Sequence, residues 1–406
     1  MKKILLSLTI LFFVFEISQA QINLIGMNNN FGSGTIDVVK WQALDASTIE
    51  TYPTDLEAYY MGSSVFDAYN SNYYLTGIAA NSGGLFSFNS KTNTQTMLDY
   101  TAFSNITEID MSTGKIYNLS ADSVGYFSVN EYDITSGTDS ILGVVSEPGI
   151  QGIIVEATCF DSNNGILYYI GYDTVPSTCL YSIPVRNTDF SFSKTTLQTA
   201  GAYSNFLGVN YDNVNNRIFA LNSVFDSTGS ITDFNVVEIN TTSGEVSVRG
   251  QLNDYPYFVA GSSSFDQNTG SLLWVGIDTN FVQTMIVFNT NDNTYQTGFV
   301  PGSVSEIVCD NNTFAQNAYP VTAINEKTSE SFGIFPNPAT KKINIEISNI
   351  SDDLVLNIYN LNGIVCLTER ISRLNTELNI ESLKQGIYIL TLQDSKSLQK
   401  AKLIVQ

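Results

Sequence analysis

A short pattern recurs along most of this chain: an apolar residue, an aspartate, about four turn-forming residues and then a mostly apolar strand. The aspartates of its five complete copies are Asp67, Asp110, Asp161, Asp212 and Asp266. They lie 43, 51, 51 and 54 residues apart, and a sixth copy at Asp310 lacks the strand that should follow. Repetition at this period, in segments that alternate apolar and polar residues, predicts the four-stranded blades of a β-propeller.

The beginning of the chain supplies the strands that the sixth copy lacks. Residues 22–27, 34–44 and 48–54 have the pattern of a second, a third and an outer strand. Five whole blades and one blade shared between the two ends make six. We therefore predict an all-β fold with a six-bladed propeller over residues 21–317, closed so that few sheet edges are exposed.

The first twenty residues have the pattern of a secretory signal peptide. Lys2 and Lys3 precede an apolar run over residues 4–15, and small residues at Ser18 and Ala20 predict cleavage between Ala20 and Gln21. The apolar run is shorter than the roughly 20 residues that a membrane-spanning helix needs. We expect an exported protein with no membrane span once the signal is removed.

Charge and composition exclude several classes of function. Residues 21–320 carry 7 Lys and Arg against 29 Asp and Glu, a net charge of −22, so nucleic acid is not an expected partner. Histidine is absent, which removes the usual general base and zinc ligand. Catalysis would have to use carboxylates, tyrosine or a bound metal.

The repeated aspartates and the cysteines allow two interpretations each. Aspartate at a hairpin corner can bind calcium or can cap its own turn, and recurrence in every blade favours the turn. The four cysteines show no metal-binding spacing, and the predicted strand positions favour free thiols over disulfides. We expect no cofactor and no metal site. The cysteines are Cys159, Cys179, Cys309 and Cys366.

The last part of the chain has a different pattern. Residues 318–331 have the composition of a linker, and residues 332–406 alternate apolar and polar residues between Asn-Gly and Gln-Gly corners, which predicts a small immunoglobulin-like β-sandwich. The ordered motifs are FPNPA at 335–339, LNG at 361–363, LKQGIY at 383–388 and KAKLIV at 400–405. The prolines keep the first strand extended.

This segment resembles the type A C-terminal sorting domain of the type IX secretion system of Bacteroidetes. The resemblance implies that the outer-membrane translocon binds the domain and that a sorting peptidase removes it. The cargo then reaches the medium or the outer cell surface by way of the periplasm. The residues that carry the resemblance are Pro336, Asn337, Pro338, Gly363, Gly386, Tyr388 and Lys402.

Four short Asp-Ser/Thr segments resemble the O-glycosylation motif of the same bacteria. Their acceptor residues are Ser123, Ser140, Thr174 and Ser227.

The segments that lead into the inner strands carry aromatic residues, which could stack on an extracellular glycan or contact a protein ligand. These residues are Tyr60, Phe103, Tyr203, Phe206, Tyr257 and Phe258. The alternative is a carboxylate-dependent extracellular hydrolase or lyase that uses Glu108, Glu156 and Glu306. Because no catalytic constellation can be recognised, a non-catalytic binding module is the preferred hypothesis.

Overall fold

The computed structural model divides the chain into two compact units, residues Met1–Pro320 and Val321–Gln406. It describes residues 21–30, 32–98, 107–121, 126–134, 136–145, 156–172, 177–187, 189–199, 205–225, 227–228, 230–252, 254–319, 332–347, 354–360, 364–393 and 398–406. The predicted signal peptide lies outside these ranges. Within them the chain forms thirty-three strands and one short helix.

The first unit consists of six antiparallel sheets in chain order. Blade 1 begins with β1 (Asn23–Asn30), β2 (Thr35–Gln42) and β3 (Asp45–Pro53). Blade 2 contains β4 (Leu56–Tyr59), β5 (Val65–Asp67), β6 (Asn72–Ala79), β7 (Ser82–Asn89) and β8 (Gln95–Leu98). Blade 3 contains β9 (Thr107–Ile109), β10 (Ile116–Ala121), β11 (Phe127–Asp133) and β12 (Thr138–Val145).

The remaining blades repeat this arrangement. Blade 4 contains β13 (Thr158–Asp161), β14 (Ile166–Tyr172), β15 (Thr178–Pro184) and β16 (Ser193–Thr196). Blade 5 contains β17 (Asn205–Asp212), β18 (Arg217–Phe225), β19 (Ile231–Ile239) and β20 (Val246–Gln251). Blade 6 contains β21 (Tyr257–Phe258), β22 (Ser264–Asp266), β23 (Ser271–Ile277), β24 (Gln283–Asn289) and β25 (Thr294–Gly298).

The ring closes through a strand from the far end of the unit. β26 (Val304–Cys309) pairs antiparallel with β1, so that Leu24 faces Cys309 and Ile25 faces Val308. The sheet order is β26-β1-β2-β3, which confirms the shared blade predicted from the sequence. Helix α1 (Asn312–Ala318) follows directly.

Two blades differ from the predicted four strands. In blades 2 and 6 the inner strand is interrupted, so that β4 and β5 both pair with β6, and β21 and β22 both pair with β23. Gly62 (φ 70°) and Gly261 (φ 73°) lie in these interruptions. A left-handed residue turns the chain out of the extended conformation, which breaks the ladder of hydrogen bonds at that point.

The core of this unit lies between neighbouring blades. Phe127 of blade 3 packs edge-on against Tyr169 of blade 4, with ring centroids 5.2 Å apart, and Tyr169 stacks on Tyr181. Burying a large apolar side chain stabilises a fold by roughly 1.5–3 kcal/mol. Both tryptophans of the chain, Trp41 and Trp274, are also buried here.

The second unit is a small two-sheet sandwich. One sheet has the order β27 (Gly333–Phe335), β28 (Lys342–Glu346) and β31 (Asn375–Asn379). The other contains β30 (Val365–Arg370), β29 (Val355–Asn360), β32 (Gly386–Gln393) and β33 (Leu398–Val405), in that order. Ile343 and Ile345 of the first sheet share one buried cluster with Leu356 and Leu390 of the second, as expected from the alternating pattern.

Candidate functional site

The repeated aspartates cap the hairpin turns of the blades. Asp161 Oδ1 accepts the backbone N–H groups of Asn163 (2.9 Å) and Asn164 (3.0 Å), and Asp67 and Asp212 do the same in their own turns. These contacts confirm the turn-capping interpretation. In the part of the chain that the structure describes, no group of three or more His, Cys, Asp or Glu side chains is arranged to hold a metal ion.

The residue after five of the six aspartates takes part in a link between neighbouring blades. The Met111 N–H donates to Ser162 Oγ (3.0 Å), and the Ser162 N–H donates to Asn213 Oδ1 (2.8 Å). The Asn213 N–H donates to Gln267 Oε1 (2.8 Å), and the Gln267 N–H donates to Asn311 Oδ1 (2.8 Å). These five residues form an interblade belt from blade 3 round to blade 1. We call the end of the central channel that they surround the channel base.

The segment after the last blade crosses the channel base. Asn312 Oδ1 accepts the hydroxyl of Ser71 in blade 2 (2.8 Å), and the hydroxyl of Tyr319 donates to Asn163 Oδ1 in blade 4 (2.8 Å). The segment therefore runs from blade 1 to blade 4, which lies opposite in a ring of six. A ligand would have to approach the channel from its other end.

At that other end, a left-handed residue occurs four or five positions before the aspartate in five of the blades. These residues are Gly62 (φ 70°), Glu156 (φ 58°), Gly208 (φ 57°), Gly261 (φ 73°) and Glu306 (φ 53°). Glycine adopts this conformation freely, whereas a residue with a side chain pays about 1–2 kcal/mol. In two blades the left-handed residue is therefore a strained glutamate, Glu156 or Glu306, at the channel. Backbone strain of this kind is common at functional sites, so both residues are candidates for a function.

Glu306 is fully buried and joins blade 1 to blade 2. Its Oε1 accepts the N–H of Gly62 (2.8 Å) and its Oε2 accepts the N–H of Ser63 (3.0 Å). Burial raises the pKa of Glu306 to about 8, the charge of Glu156 adds to the rise, and the Gly62 and Ser63 amides oppose it. Gly261 of the neighbouring blade 6 lies so close to this carboxyl group that a Cβ at that position would collide with Glu306 Oε1.

The other two predicted carboxylates are half-buried in the same channel. Glu156 Oε1 accepts the N–H of Ser263 in blade 6 (3.2 Å), and Glu108 Oε1 accepts the hydroxyl of Thr158 in blade 4 (2.6 Å). Burial raises the pKa of each to about 7, against the opposing effect of these hydrogen bonds. Glu108 and Glu156 line a partly open pocket of about 150 Å³. That volume is below the roughly 300 Å³ at which small-molecule sites begin.

A larger groove opens at the mouth of the channel. It has a volume of about 420 Å³ and is formed by the segments that lead into the inner strands of blades 1, 2 and 6. The hydroxyl of Tyr59 lies 2.8 Å from Ser305 Oγ and accepts a hydrogen bond from Asn29 Nδ2 (2.6 Å). We call this the mouth groove. The residues used below are Asn29, Glu57, Ala58, Tyr59, Ala260 and Ser303.

The predicted aromatic residues do not form one surface. Phe206 is fully buried in the core, so we correct its assignment from ligand contact to packing. Phe258 is half-buried and packs edge-on against Phe234 of blade 5 at 4.1 Å and against Trp274. Tyr60 is half-buried beside the mouth groove, and Tyr257 is exposed. Phe103 and Tyr203 lie outside the described residues.

Sequence reasoning missed several residues of this face. Tyr59 lines the mouth groove, whereas the sequence pattern predicted its neighbour Tyr60 as the contact. The prediction chose the wrong neighbour because the alternation along a four-residue strand does not fix which side of the strand faces the groove. Phe281 was also missed, and it is the most exposed large hydrophobic residue of the described chain, at 78%. Its position in a turn that contains Asp and Asn was the available signal.

Asn337 of the first motif contacts the last strand of the second unit, β33. Asn337 Nδ2 donates to the Lys402 carbonyl (2.7 Å), and Asn337 Oδ1 accepts the Ile404 N–H (2.9 Å). Tyr388 is buried, and its hydroxyl donates to the Lys384 carbonyl (2.8 Å). Pro336 and Pro338 flank Asn337 and are exposed, and Gly386 begins β32; Gly363 lies outside the described residues.

The remaining predicted positions concern modification and thiols. Ser140 and Ser227 are exposed, so a modifying enzyme could reach them, while Ser123 and Thr174 lie outside the described residues. All four cysteines are free, which confirms that prediction, and only Cys366 is exposed. Within the described ranges, none of the helical structure has the length and apolarity that a membrane span needs.

The first unit is a β-propeller and the second is a small β-sandwich, and a family model identifies the second unit. Residues 333–406 match the model of the family described as a secretion system C-terminal sorting domain. The match confirms the resemblance inferred from the motifs. The chain is therefore a cargo of type IX secretion that reaches the cell surface or the medium, and its tail interacts with the secretion machinery.

No curated protein matches the sequence. Among solved structures, the chain is similar to TolB from Acinetobacter baumannii, with a TM-score of 0.53, 11% identity and coverage of 71% of this chain and 66% of that one. This chain thus spans just under two thirds of TolB. It is also similar to a chain of a nidogen–laminin complex, with a TM-score of 0.47, 12% identity and coverage of 72% of this chain and 99% of that one. A third similar structure is an oligogalacturonate lyase in complex with manganese, with a TM-score of 0.43, 8% identity and coverage of 67% of this chain and 77% of that one. At these identities the likeness to TolB shows the propeller fold alone.

Proposed function

We propose that the chain is built from a signal peptide (1–20), a propeller (21–317), a linker (318–331) and a sorting domain (332–406). The outer-membrane translocon binds the sorting domain and a sorting peptidase removes it. The family match at residues 333–406 supports this proposal. It agrees with the division of the chain into compact units at Pro320.

The propeller itself is proposed to be a non-catalytic binding module for an extracellular ligand. The observation that carries this function is the mouth groove, whose volume of about 420 Å³ lies within the range of small-molecule sites. Its lining combines hydrogen-bonding groups of Asn29, Tyr59 and Ser303 with apolar side chains. The covered channel base leaves this groove as the accessible end of the channel.

The alternative is a carboxylate-dependent hydrolase or lyase. In its favour, Glu108, Glu156 and Glu306 have pKa values raised to between about 7 and about 8, which suits a general acid. Against it, each carboxyl group already accepts hydrogen bonds from a neighbouring or facing blade, and the cavity beside Glu108 and Glu156 is small. These contacts support a role in joining the blades.

The export proposal is tested by deleting residues 332–406 and locating the protein by cell fractionation. We expect the truncated chain to remain in the periplasm, while the full chain reaches the medium or the cell surface. Intact-mass analysis of the exported protein shows whether it begins at Gln21 and whether glycan mass is attached. Export of the truncated chain at the normal level would contradict the proposal.

The binding proposal is tested with the purified protein against glycan and protein panels. Ala58→Trp and Ala260→Trp place a large side chain at two exposed positions of the mouth groove and should abolish binding. Ala46→Trp, at an exposed position of the outer strand β3, is the matched control and should bind normally. Turnover of a polysaccharide or lactone that disappears in both Glu156→Gln and Glu306→Gln would instead support the enzyme.

A further inference from the structure

Two exposed aromatic rings lie beside the mouth groove on blade 6. Tyr257 (52% exposed) and Phe281 (78% exposed) are stacked with their ring centroids 6.1 Å apart and their planes 7° apart. The chain runs from Tyr257 within three residues to Val259 and Ala260, which line the groove. The pair is therefore adjacent to the groove along the chain of blade 6. We call it the aromatic platform.

A tight turn fixes the more exposed of these rings. Asp278 Oδ1 accepts the N–H groups of Asn280 (2.8 Å) and Val282 (2.8 Å), and the Phe281 N–H donates to the Asp278 carbonyl (3.0 Å). Phe281 adopts a left-handed φ of 61°, which is a rare conformation for an aromatic residue. A ring that served only to pack would not remain 78% exposed on a strained backbone.

The surroundings of the platform restrict the chemistry of a ligand. The propeller carries a net charge of −22. Burial raises the pKa of Tyr255, and the charges of Asp254 and Asp278 lie close enough to raise it further. This field repels polyanions such as acidic polysaccharides. A flat, rigid aromatic surface beside carboxylate acceptors complements an uncharged sugar, whose C–H face is apolar and whose hydroxyl groups donate hydrogen bonds.

We propose that Tyr257 and Phe281 form a stacking site for an uncharged oligosaccharide whose next sugar units occupy the mouth groove. This inference rests on the proposed binding function and specifies its ligand class. The rigid turn limits the conformational entropy lost on binding, so the platform is already in place before the ligand arrives. Each ring contributes about ten-fold in affinity, as a stacking contact of this kind does.

The test is calorimetric titration of the purified protein with cellohexaose, maltohexaose, xylohexaose and mannohexaose, with hexagalacturonate as the charged comparison. We expect at least one uncharged hexasaccharide to bind and hexagalacturonate not to bind. Phe281→Gly and Tyr257→Ala should each weaken binding about ten-fold. Phe299→Ala removes a comparably exposed ring (47%) that follows the outer strand of the same blade, and it should leave affinity unchanged.

Thermal unfolding separates a binding role from a structural one. Glycine relieves the left-handed backbone at position 281, so Phe281→Gly should keep or raise the Tm while binding falls. A drop in Tm without a drop in affinity would overturn the platform.

The two proposals fail in different ways. Binding that Ala260→Trp abolishes but Tyr257→Ala and Phe281→Gly leave intact would refute the platform and retain the groove. Binding that the platform variants weaken but Ala260→Trp does not would refute the groove as the site. Binding of hexagalacturonate alone, or of a protein and no saccharide, would overturn the ligand class proposed here.

Discussion

The stability of the propeller should fall as the pH rises from 5 to 8.5, and Glu306 should account for a large part of the fall. In the folded chain the pKa of Glu306 is about 8, whereas an unperturbed glutamate has a pKa of about 4.3. Between these values the folded state holds a proton that the unfolded state has lost. Raising the pH therefore favours unfolding, and the effect is complete above pH 8.

The size of the effect follows from the difference in pKa. Each pKa unit corresponds to about 1.4 kcal/mol, so Glu306 alone contributes on the order of 5 kcal/mol below pH 4 that is absent above pH 8, and about 4 kcal/mol of this is lost between pH 5 and pH 8. At roughly 2 °C per kcal/mol for a unit of this size, the Tm should fall by about 8 °C. Glu108 and Glu156 act in the same direction, since burial raises both of their pKa values.

Tryptophan fluorescence can follow this unfolding in the intact protein. Trp41 and Trp274 are the two tryptophans of the chain, and both are buried in the propeller, so the signal excludes the sorting domain. Glu306→Gln should have a lower Tm than the wild type at pH 5, because one buried amide loses its acceptor, and the two profiles should converge as the pH rises. Glu57→Gln, an exposed substitution, should run parallel to the wild type. Equal losses of Tm in Glu306→Gln and the wild type would refute the reasoning.

Three further substitutions test the ion pair between Arg186 and Asp110, the interblade belt and the sorting domain. Arg186→Ala leaves the fully buried Asp110 carboxylate without the guanidinium group that lies 2.6 Å away. Urea unfolding should show that the free energy of unfolding falls by about 3 kcal/mol, and a fall of less than about 1 kcal/mol would contradict this. Gln267→Ala removes two buried hydrogen bonds and should cost about 2 kcal/mol, whereas the exposed Gln296→Ala should cost almost nothing. Asn337→Ala should accelerate hydrogen exchange at the Ile404 amide, and unchanged exchange would mean that the side chain does not hold β33.

The propeller and its closure could be predicted because they depend on periodic patterns. Each blade repeats an apolar alternation and an aspartate turn, and these local signals survive without knowledge of the neighbouring blades. The sorting domain was predictable for a different reason, since several of its motifs occur in a fixed order. The interrupted inner strands were not predicted, although Gly62 and Gly261 stood in the sequence at equivalent distances before their aspartates.

The contacts between blades could not be read from one blade alone. Ser162, Asn213, Gln267 and Asn311 each follow an aspartate, so a polar residue at this position was visible, but its partner lies in the neighbouring blade. The candidate ligand residues were harder still. Phe206 became core because burial depends on which side of β17 faces blade 4, and the left-handed Gly208 within β17, where the pairing with β18 shifts register, keeps simple alternation from fixing that side.

The shared blade has a consequence for how defective copies of this protein are treated. β1 acquires its inner partner only when β26 is present, and β26 ends at Cys309, shortly before the sorting domain begins. A chain that stops early thus lacks both the strand that completes the ring and the tag that permits passage across the outer membrane. Every molecule that carries the tag also carries the means to finish its own fold. The order of the segments thereby couples completion of the propeller ring to possession of the export signal.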